Sequence, residues 1–236
     1  MTMVETENDG NGNGTAATRQ EQAYEELRSL LLSGAIEPNT RLTEADLTSR
    51  FNVSRSTMRA VLVHLAQEGY VTSEVNRGVR ARSFSPQEAR DILEAREVLE
   101  AALAAKAAER ATEEDISRLR ETLAAMHEAH TGGDQVAYVR GNRLFHQQVK
   151  AAAHARTLAR AYDTLLYPMV IRQYRDISRH HPRSGSFEEH QAILLGIVTG
   201  NPEAAAAAMR HHVSAARHAL VLPESAESAQ STDPLS

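Results

Sequence analysis

The sequence predicts a mainly α-helical protein with two folded parts, the first of which ends in a small β-hairpin. Most of the 236 residues lie in segments whose apolar side chains recur at helical spacing. Helix-start signals recur along the chain, and a strong one is Ser85-Pro86, where a capping serine precedes a proline at the first helical position. Residues 70–82 instead hold two short β-prone segments around Gly78, a pattern typical of a hairpin.

The composition excludes several classes of protein. Cysteine is absent, which rules out a disulfide framework, a zinc ribbon, an iron–sulfur cluster and thiol catalysis, and which suits a reducing cytoplasm. No window approaches the roughly 18 consecutive apolar residues of a membrane span, and the start of the chain has no apolar signal segment. We therefore expect a cytoplasmic protein without a membrane partner.

The first folded part is predicted to span residues 19–82, after a disordered arm over 1–18 that is rich in Gly, Asn, Thr and acidic residues. Three helices followed by a hairpin make a winged helix-turn-helix. The predicted elements are helices over 20–33, 43–51 and 55–68, capped in the last two cases by Thr43 and Ser54, and a hairpin of 70–75 and 79–82.

The second folded part is predicted to span residues 86–222, with a linker at 83–85 and a disordered tail over 223–236. Six helices over about 137 residues can bury a core of their own, which predicts a separate all-α bundle. The predicted helices are 86–111, 112–131 (capped by Thr112 with Asp115), 134–154, 156–180 with a kink at Pro168, 186–200 and 202–221.

The distribution of charge indicates a nucleic-acid partner. The net charge of −5 argues against a uniformly basic protein, but residues 47–82 hold six arginines against two glutamates, a local net charge of +4. The second helix of a helix-turn-helix enters the major groove, which displays a distinct pattern for each base pair. We therefore expect the first part to bind double-stranded DNA.

Candidate DNA contacts lie at the start of the third helix. Arg55 and Arg59 are four residues apart on one face, away from the apolar stripe, and an arginine can pair bidentately with guanine. The hydroxyls of Ser54 and Thr57 suit phosphates or base edges. Spacing alone also fits an ordinary solvated surface.

The predicted wing supplies two further candidates. Arg77 at its tip can enter the adjacent minor groove or bind a phosphate, and Gly78 lets the backbone turn tightly.

These residues, in this order, resemble the GntR superfamily of bacterial regulators. One departure is visible, because Ser56-Thr57-Met58 stands where Thr-Pro-Val is commoner. The resemblance implies a DNA-binding regulator and adds Arg41 to the candidate DNA contacts. The match runs from Leu27 to Arg82 through Leu31-Leu32-Ser33-Gly34, Arg41-Leu42-Thr43-Glu44, Leu47, Phe51, Val53-Ser54-Arg55, Arg59, Leu62, Leu65 and Gly69.

Residues 86–222 resemble the FCD (FadR C-terminal domain) class of that superfamily. The predicted fold is therefore a winged helix-turn-helix with a small β-hairpin wing, followed by an FCD-like all-α bundle of six helices. The stretches that carry the resemblance are 91–100, 189–194, 200–204 and 209–212.

The spacing of histidines in the second part suggests a metal site. Asn142 and His146 share a helix face, and antiparallel packing of the last two helices can bring His190 level with His212. Three imidazoles and one oxygen suit Zn²⁺ best, with Ni²⁺, Mn²⁺ and Co²⁺ as alternatives. Since the chain has 11 histidines, spacing alone also fits packed or solvated side chains. Metal-binding FCD domains carry Asp, His, His and His at these positions, so the resemblance implies this site with Asn142 in place of the aspartate.

The resemblance also implies a small organic acid as effector, since in this class the metal often lies at the base of a cavity whose ligand completes the coordination. Arg96 and Arg172 lie on helices expected to line such a cavity, and Tyr138 or Tyr174 could add hydrogen bonds. The alternative is that these arginines form salt bridges with the many glutamates of the domain.

The sequence therefore predicts a homodimeric repressor that binds a pseudo-palindromic operator and responds to a small carboxylate. Effector binding is expected to reorient the two DNA-binding domains and so change operator affinity. One alternative is that the metal ion is itself the effector. Another is a metalloenzyme, which is disfavoured because no glutamate is placed as in an H-E-x-x-H helix and because residues 19–82 would have no role.

Overall fold

The computed structural model of the chain describes residues 12–74, 78–178 and 185–219. The chain divides into two compact units, one of Met1–Phe84 with Pro168–Gln173 and the other of Ser85–Tyr167 with Tyr174–Ser236. The described part is mainly helical with one small sheet, which confirms the predicted fold class. None of its helices has the length and apolar character needed to cross a membrane.

The first unit contains a winged helix-turn-helix. Strand β3 lies between β1 and β2 and runs antiparallel to both. The buried core of this unit includes Leu27, Leu31, Met58 and Leu65. The elements are α1 (Gly12–Ser33), β1 (Arg41–Leu42), α2 (Glu44–Phe51), α3 (Arg55–Gln67), β2 (Val71–Glu74) and β3 (Gly78–Ala81).

Local signals set the turn between α2 and α3. Thr43 caps α2 by accepting the Asp46 backbone N–H, and Ser54 caps α3 by accepting that of Thr57. Asn52 has a φ of 51°, in the left-handed region that asparagine tolerates better than most residues. The chain therefore reverses within residues 52–54, and α3 begins with Arg55.

The second unit is a bundle of helices. Helix α10 packs on α4 and α9, and α5 packs on α6 and α9. Its core includes the fully buried Leu119, Met126, Phe145 and Ile193. The helices that begin in this unit or pass through it are α4 (Pro86–Arg110), α5 (Glu113–Thr131), α6 (Gln135–Ala152), α7 (Arg156–Asp163), α8 (Tyr167–Ser178), α9 (Ser186–Val198) and α10 (Pro202–Ala219).

Helices α9 and α10 approach closely at Gly196. A Cβ atom at Gly196 would lie 2.6 Å from the backbone nitrogen of Ala205, which is closer than real Cβ atoms come. The glycine thus permits the contact between the two helices that carry His190 and His212.

One prediction in the first unit is wrong, and one strand was not predicted. Residues 12–18, predicted as part of a disordered arm, continue α1, because extending an existing helix costs far less than nucleating one. Strand β1 was not predicted, since its two residues are too few to show an alternating pattern.

The predicted six-helix count for the second part is also wrong. The segment 156–180, predicted as one helix kinked at Pro168, forms α7 and α8, so α4 to α10 make seven described helices. The break lies at 164–166, where Leu166 has a φ of 53°. Pro168 is the second residue of α8, a position at which its missing N–H would have no helical partner.

Pro168–Gln173 groups with the first unit, although the sequence assigned these residues to the second domain. The Gln173 side-chain oxygen accepts the Phe84 N–H at 2.9 Å, and its amide donates to the Phe84 carbonyl at 2.6 Å. Contacts between residues so distant in the chain leave no periodic signal in the sequence.

Candidate DNA-contacting surface and metal site

The exposed face of α3 carries both arginines that the sequence proposes for base contacts. Arg55 and Arg59 are exposed, whereas Met58 of the same helix is fully buried. Arg59 forms a bidentate ion pair with Glu44 of α2, with 3.0 Å from Nε to Oε1 and 3.0 Å from Nη2 to Oε2. The hydrogen bond from Arg59 holds the pKa of the Glu44 carboxyl below its usual range.

Ser54 and Thr57 lie together at the N-terminus of α3. The Ser54 hydroxyl accepts the Thr57 N–H and lies 2.8 Å from the hydroxyls of both Ser56 and Thr57. The sequence proposes contacts of these hydroxyls with phosphates or base edges. A helix N-terminus carries partial positive charge, which suits a phosphate.

Arg41 and Gly78 are neighbours at the wing. Arg41 is exposed on β1, opposite Arg80 of β3, and a Cβ atom at Gly78 would lie 3.9 Å from Arg41 Nε. Gly78 has a φ of 83°, which favours glycine. Arg77, the predicted wing tip, lies outside the described residues.

Three histidines and one asparagine meet inside the second unit. The candidate ligand nitrogens of His146, His190 and His212 lie within 4.8 Å of one another, and 3.0 Å separates Nε2 of His146 from Nε2 of His212. Asn142 Oδ1 lies 2.8 Å from His190 Nε2. His190 and His212 are buried, and His146 is nearly so. Helices α6, α9 and α10 thus bring together the four residues proposed from their spacing.

An acceptor lies behind each of the three imidazoles. A ring whose Nδ1–H points to such an acceptor carries its lone pair on Nε2, the atom that faces the cluster. The His146 contact is close but not aligned as a regular hydrogen bond. The three acceptors are Glu100 Oε2 at 2.7 Å from His146 Nδ1, the Ser186 carbonyl oxygen at 2.5 Å from His190 Nδ1, and Glu189 Oε2 at 2.8 Å from His212 Nδ1.

This arrangement fits a divalent transition metal. Two nitrogens bound tetrahedrally to one Zn²⁺ are about 3.3 Å apart, close to the 3.0 Å between His146 and His212. Asn142 supplies an oxygen donor, which is a weaker ligand than a carboxylate. The donor set therefore suits the metals that the sequence proposed.

Glu100 connects His146 to a buried polar network. Its Oε1 accepts hydrogen bonds from Arg96 Nε at 2.8 Å and from the Tyr162 hydroxyl at 2.7 Å. Burial alone would raise the pKa of the Glu100 carboxyl, but the neighbouring Arg96 and His146 outweigh burial and hold that pKa well below its usual range. Glu100 is therefore a buried carboxylate anion, which needs such partners to be stable.

Arg96, proposed as an effector contact, already binds side chains of its own unit. It is 3% exposed, pairs with Glu100, and stacks over Tyr167 with 3.6 Å from its Cζ to the ring centroid. This is the salt bridge that the sequence left open as the alternative.

The other three proposed effector residues occupy different surroundings. Tyr138 is half-buried against the bundle core, and Tyr174 is buried in the second unit. Arg172 belongs to the first unit, where a Cβ atom at Gly34 would lie 2.1 Å from its Nε. Arg172 therefore lies beside Gly34, the residue that follows α1.

Sequence reasoning missed three glutamates that hold the candidate side chains. Glu100 follows Arg96 by four residues, a spacing that signals an ion pair within one helix. The pairing of Glu44 with Arg59, and the contacts of Glu100 and Glu189 with histidines, join different helices. Only the packing of those helices reveals them.

Comparison with known families identifies the class of protein. Residues 19–80 match the gntR family of bacterial regulatory proteins, and residues 91–215 match the FCD domain. The chain belongs to the GntR family of bacterial regulatory proteins, in the subfamily that carries an FCD domain. It is a DNA-binding transcriptional regulator, which is not an enzymatic role.

Individual relatives agree with this assignment over most of their length. The HTH-type transcriptional repressor NanR of Klebsiella aerogenes is 30% identical over 217 residues, covering 82% of this chain and 82% of NanR. The HTH-type transcriptional repressor RspR of Escherichia coli is 26% identical, covering 82% of this chain and 85% of RspR. The solved structure of E. coli McbR/YncC shares the fold, with a TM-score of 0.70 at 19% identity over 86% of this chain and 96% of that one.

Proposed function

We propose that this regulator is a homodimeric repressor whose affinity for operator DNA is controlled by a small carboxylate that binds with a divalent metal ion in the second unit. The observation that carries the proposal is the convergence of His146, His190, His212 and Asn142.

The orientation of the imidazoles supports a cation at their centre. The Nδ1 atoms of His146 and His212 lie beside carboxylates, and their Nε2 atoms are 3.0 Å apart. In the tautomer that carries the proton on Nδ1 of both rings, the two Nε2 lone pairs face each other. Two buried lone pairs at this distance repel unless a cation or a proton lies between them. A metal ion satisfies both, and Zn²⁺ is the first choice for a set rich in imidazole.

The neutrality of the four donors supports an anionic effector. Imidazole and amide ligands carry no charge, so a bound divalent ion keeps both of its positive charges. Glu100 and Glu189 lie behind the imidazoles rather than at the ligand position. A small carboxylate that completes the coordination would neutralise part of the remaining charge.

A second candidate function is a regulator to which the metal ion itself is the effector. The observation that favours it is the engagement of Arg96, since an arginine that already pairs with Glu100 is a poor anchor for a further carboxylate.

The first unit supplies the surface for DNA. Arg55 and Arg59 project from α3, and a two-fold dimer would place two such helices in successive major grooves of a pseudo-palindrome. That NanR and RspR are named repressors supports repression as the outcome.

Fluorescence anisotropy with labelled DNA from upstream of its own gene tests the proposal. The full chain is stripped with a chelator, reloaded with zinc sulfate, and titrated onto the DNA with and without a panel of mono-, di- and tricarboxylates. At least one acid should weaken DNA binding about tenfold, and only when zinc is present. A response to zinc that no acid changes would favour the ion as effector.

Histidine variants provide the control. His190→Ala should abolish the response to zinc and acid, while His218→Ala, which alters an exposed histidine of α10, should retain it. An undiminished response in His190→Ala would contradict the proposed site.

A further inference from the structure

We propose that Glu44 and Arg59 recognise guanine together. Glu44 pairs with Nε and Nη2 of the Arg59 guanidinium, and the edge formed by Nη1 and Nη2 remains for the base. This inference rests on the proposed insertion of α3 into the major groove. Glu44 would be a positioning residue that acts through Arg59.

The geometry defines which donors remain. The guanidinium has five N–H groups, and Glu44 takes one on Nε and one on Nη2, each at 3.0 Å. Two N–H groups on Nη1 and one on Nη2 are left. Nη1 and Nη2 together form the end edge, which can donate two parallel hydrogen bonds to guanine O6 and N7.

The position of Glu44 in the chain favours its negative charge. Glu44 is the first residue of α2, directly after the Thr43 cap, where an acidic side chain is stabilised by the helix dipole. Its side chain is 36% exposed, against 69% for Arg59, so the guanidinium is the partner that projects into solvent. Two hydrogen bonds from this carboxylate restrict the projecting guanidinium before DNA arrives, which reduces the ordering cost on binding.

Arg55 provides a contrast one turn earlier on α3. It is exposed, and among the described residues no carboxylate lies within 4.0 Å of it, although the charge of Glu44 acts on it over a longer distance. Arg55 therefore keeps its donors available, which suits a phosphate contact as well as a base.

The structure thus separates two effects of changing Glu44. Glu44→Gln removes a negative charge close to the DNA, which strengthens binding to any sequence. The same change also loosens Arg59, which weakens discrimination at one base pair. A loss of preference without a loss of non-specific affinity is a signature that a merely structural residue would not give.

Selection from a library of operator variants, read by sequencing, measures the preference at every base pair. The proteins are the unmodified chain, Arg59→Ala, Glu44→Gln, Glu44→Asp, the double variant Glu44→Gln/Arg59→Ala, and two controls. Glu37→Gln removes the same charge from an exposed position of the first unit, and Arg55→Ala tests the unsupported arginine. Thermal unfolding and affinity for non-operator DNA are measured for each.

Arg59→Ala should reduce the preference for guanine at one base pair of each half-site by about five- to a hundredfold. Glu44→Gln should reduce it at the same base pair by about threefold or more, with unchanged or stronger non-specific binding. The double variant should match Arg59→Ala, and Glu44→Asp should retain part of the preference. Glu37→Gln should leave it intact.

Three results would overturn the inference while leaving the regulator's function standing. They are full guanine preference in Glu44→Gln, an equal loss at all base pairs, and an Arg59→Ala variant that changes no base pair. If the unmodified chain selects no sequence at all, the proposed function fails first, and the inference about Glu44 and Arg59 fails with it.

Discussion

Asn142 sets the charge of the candidate metal site. Its amide oxygen lies 2.8 Å from His190 Nε2, at the position where the family resemblance implies an aspartate. An amide binds a divalent ion less tightly than a carboxylate does, but it also leaves the ion more positive towards a further anionic ligand. At this position, one substitution therefore exchanges metal affinity for anion affinity.

Asn142→Asp should accordingly raise the affinity for Zn²⁺ by about tenfold or more, because a charged oxygen replaces a neutral one. Competition with a zinc-binding dye measures the change. Gln147→Glu adds the same charge to an exposed position of α6 and should leave the zinc affinity nearly unchanged. Equal affinities in Asn142→Asp and the original chain would place Asn142 outside the coordination shell.

Part of the candidate metal site could be predicted from the spacing of its residues. Asn142 and His146 are recognisable because helix geometry places residues four apart on one face. His190 and His212 lie on different helices, so pairing them depended on the expected antiparallel packing of the last two helices, and the family resemblance added their role as ligands. Glu100 and Glu189 were not predicted, since a glutamate in a helix rich in glutamates gives no sign of which neighbouring helix it faces.

At the scale of elements, the N-terminus of α5 is held by several hydrogen bonds to the carboxylate of Asp115. Asp115 accepts from the Thr112 backbone and hydroxyl, from His154 Nε2 at 2.8 Å, and from Arg118 Nη2 at 2.7 Å. Burial would raise the pKa of the Asp115 carboxyl, but these hydrogen bonds hold it well below its usual range. The capping box that Thr112 and Asp115 predict is thus confirmed, and His154 extends it across to the end of α6.

Asp115→Asn should lower the free energy of unfolding by about 1–3 kcal/mol at pH 7, since hydrogen bonds to a buried charge are lost. Because the folded pKa is depressed, this stabilisation is complete above about pH 4 and declines as the pH falls below that value. The gap in melting temperature between the two proteins should therefore narrow in acid. Glu114→Gln, at a 78% exposed side chain, should change the melting temperature little. A gap that widens in acid would contradict the depressed pKa.

Element boundaries were predictable where a cap residue marks them and not elsewhere. Thr43, Ser54 and Ser85 each accept the backbone N–H predicted for an N-cap. The break between α7 and α8 depends instead on Leu166 adopting a positive φ. Leucine has no intrinsic preference for that conformation, so only tertiary packing can impose it.

At the scale of the whole molecule, charge confines the expected DNA contact to the first unit. The net charge is −5, although residues 47–82 alone carry +4, so the remainder of the chain is more acidic than the total suggests. An acidic body repels phosphates while the basic module binds them, and the interaction should weaken steeply as salt is added. One basic module contacts only one half-site, so tight operator binding requires a second copy.

The proposed dimer therefore makes a geometric prediction about the operator. Two α3 helices related by a two-fold axis reach successive major grooves, whose centres are about 10 base pairs apart. Inserting five base pairs between the half-sites turns one of them to the opposite face of the duplex, so the affinity should fall towards the level of a single half-site. Electrophoretic mobility shifts with the original and the lengthened operator measure the loss, and light scattering should give twice the 25.9 kDa of one chain. Equal affinity for both operators, or a monomer that binds one half-site as tightly as the full operator, would show that the two helices do not bind as a rigid pair.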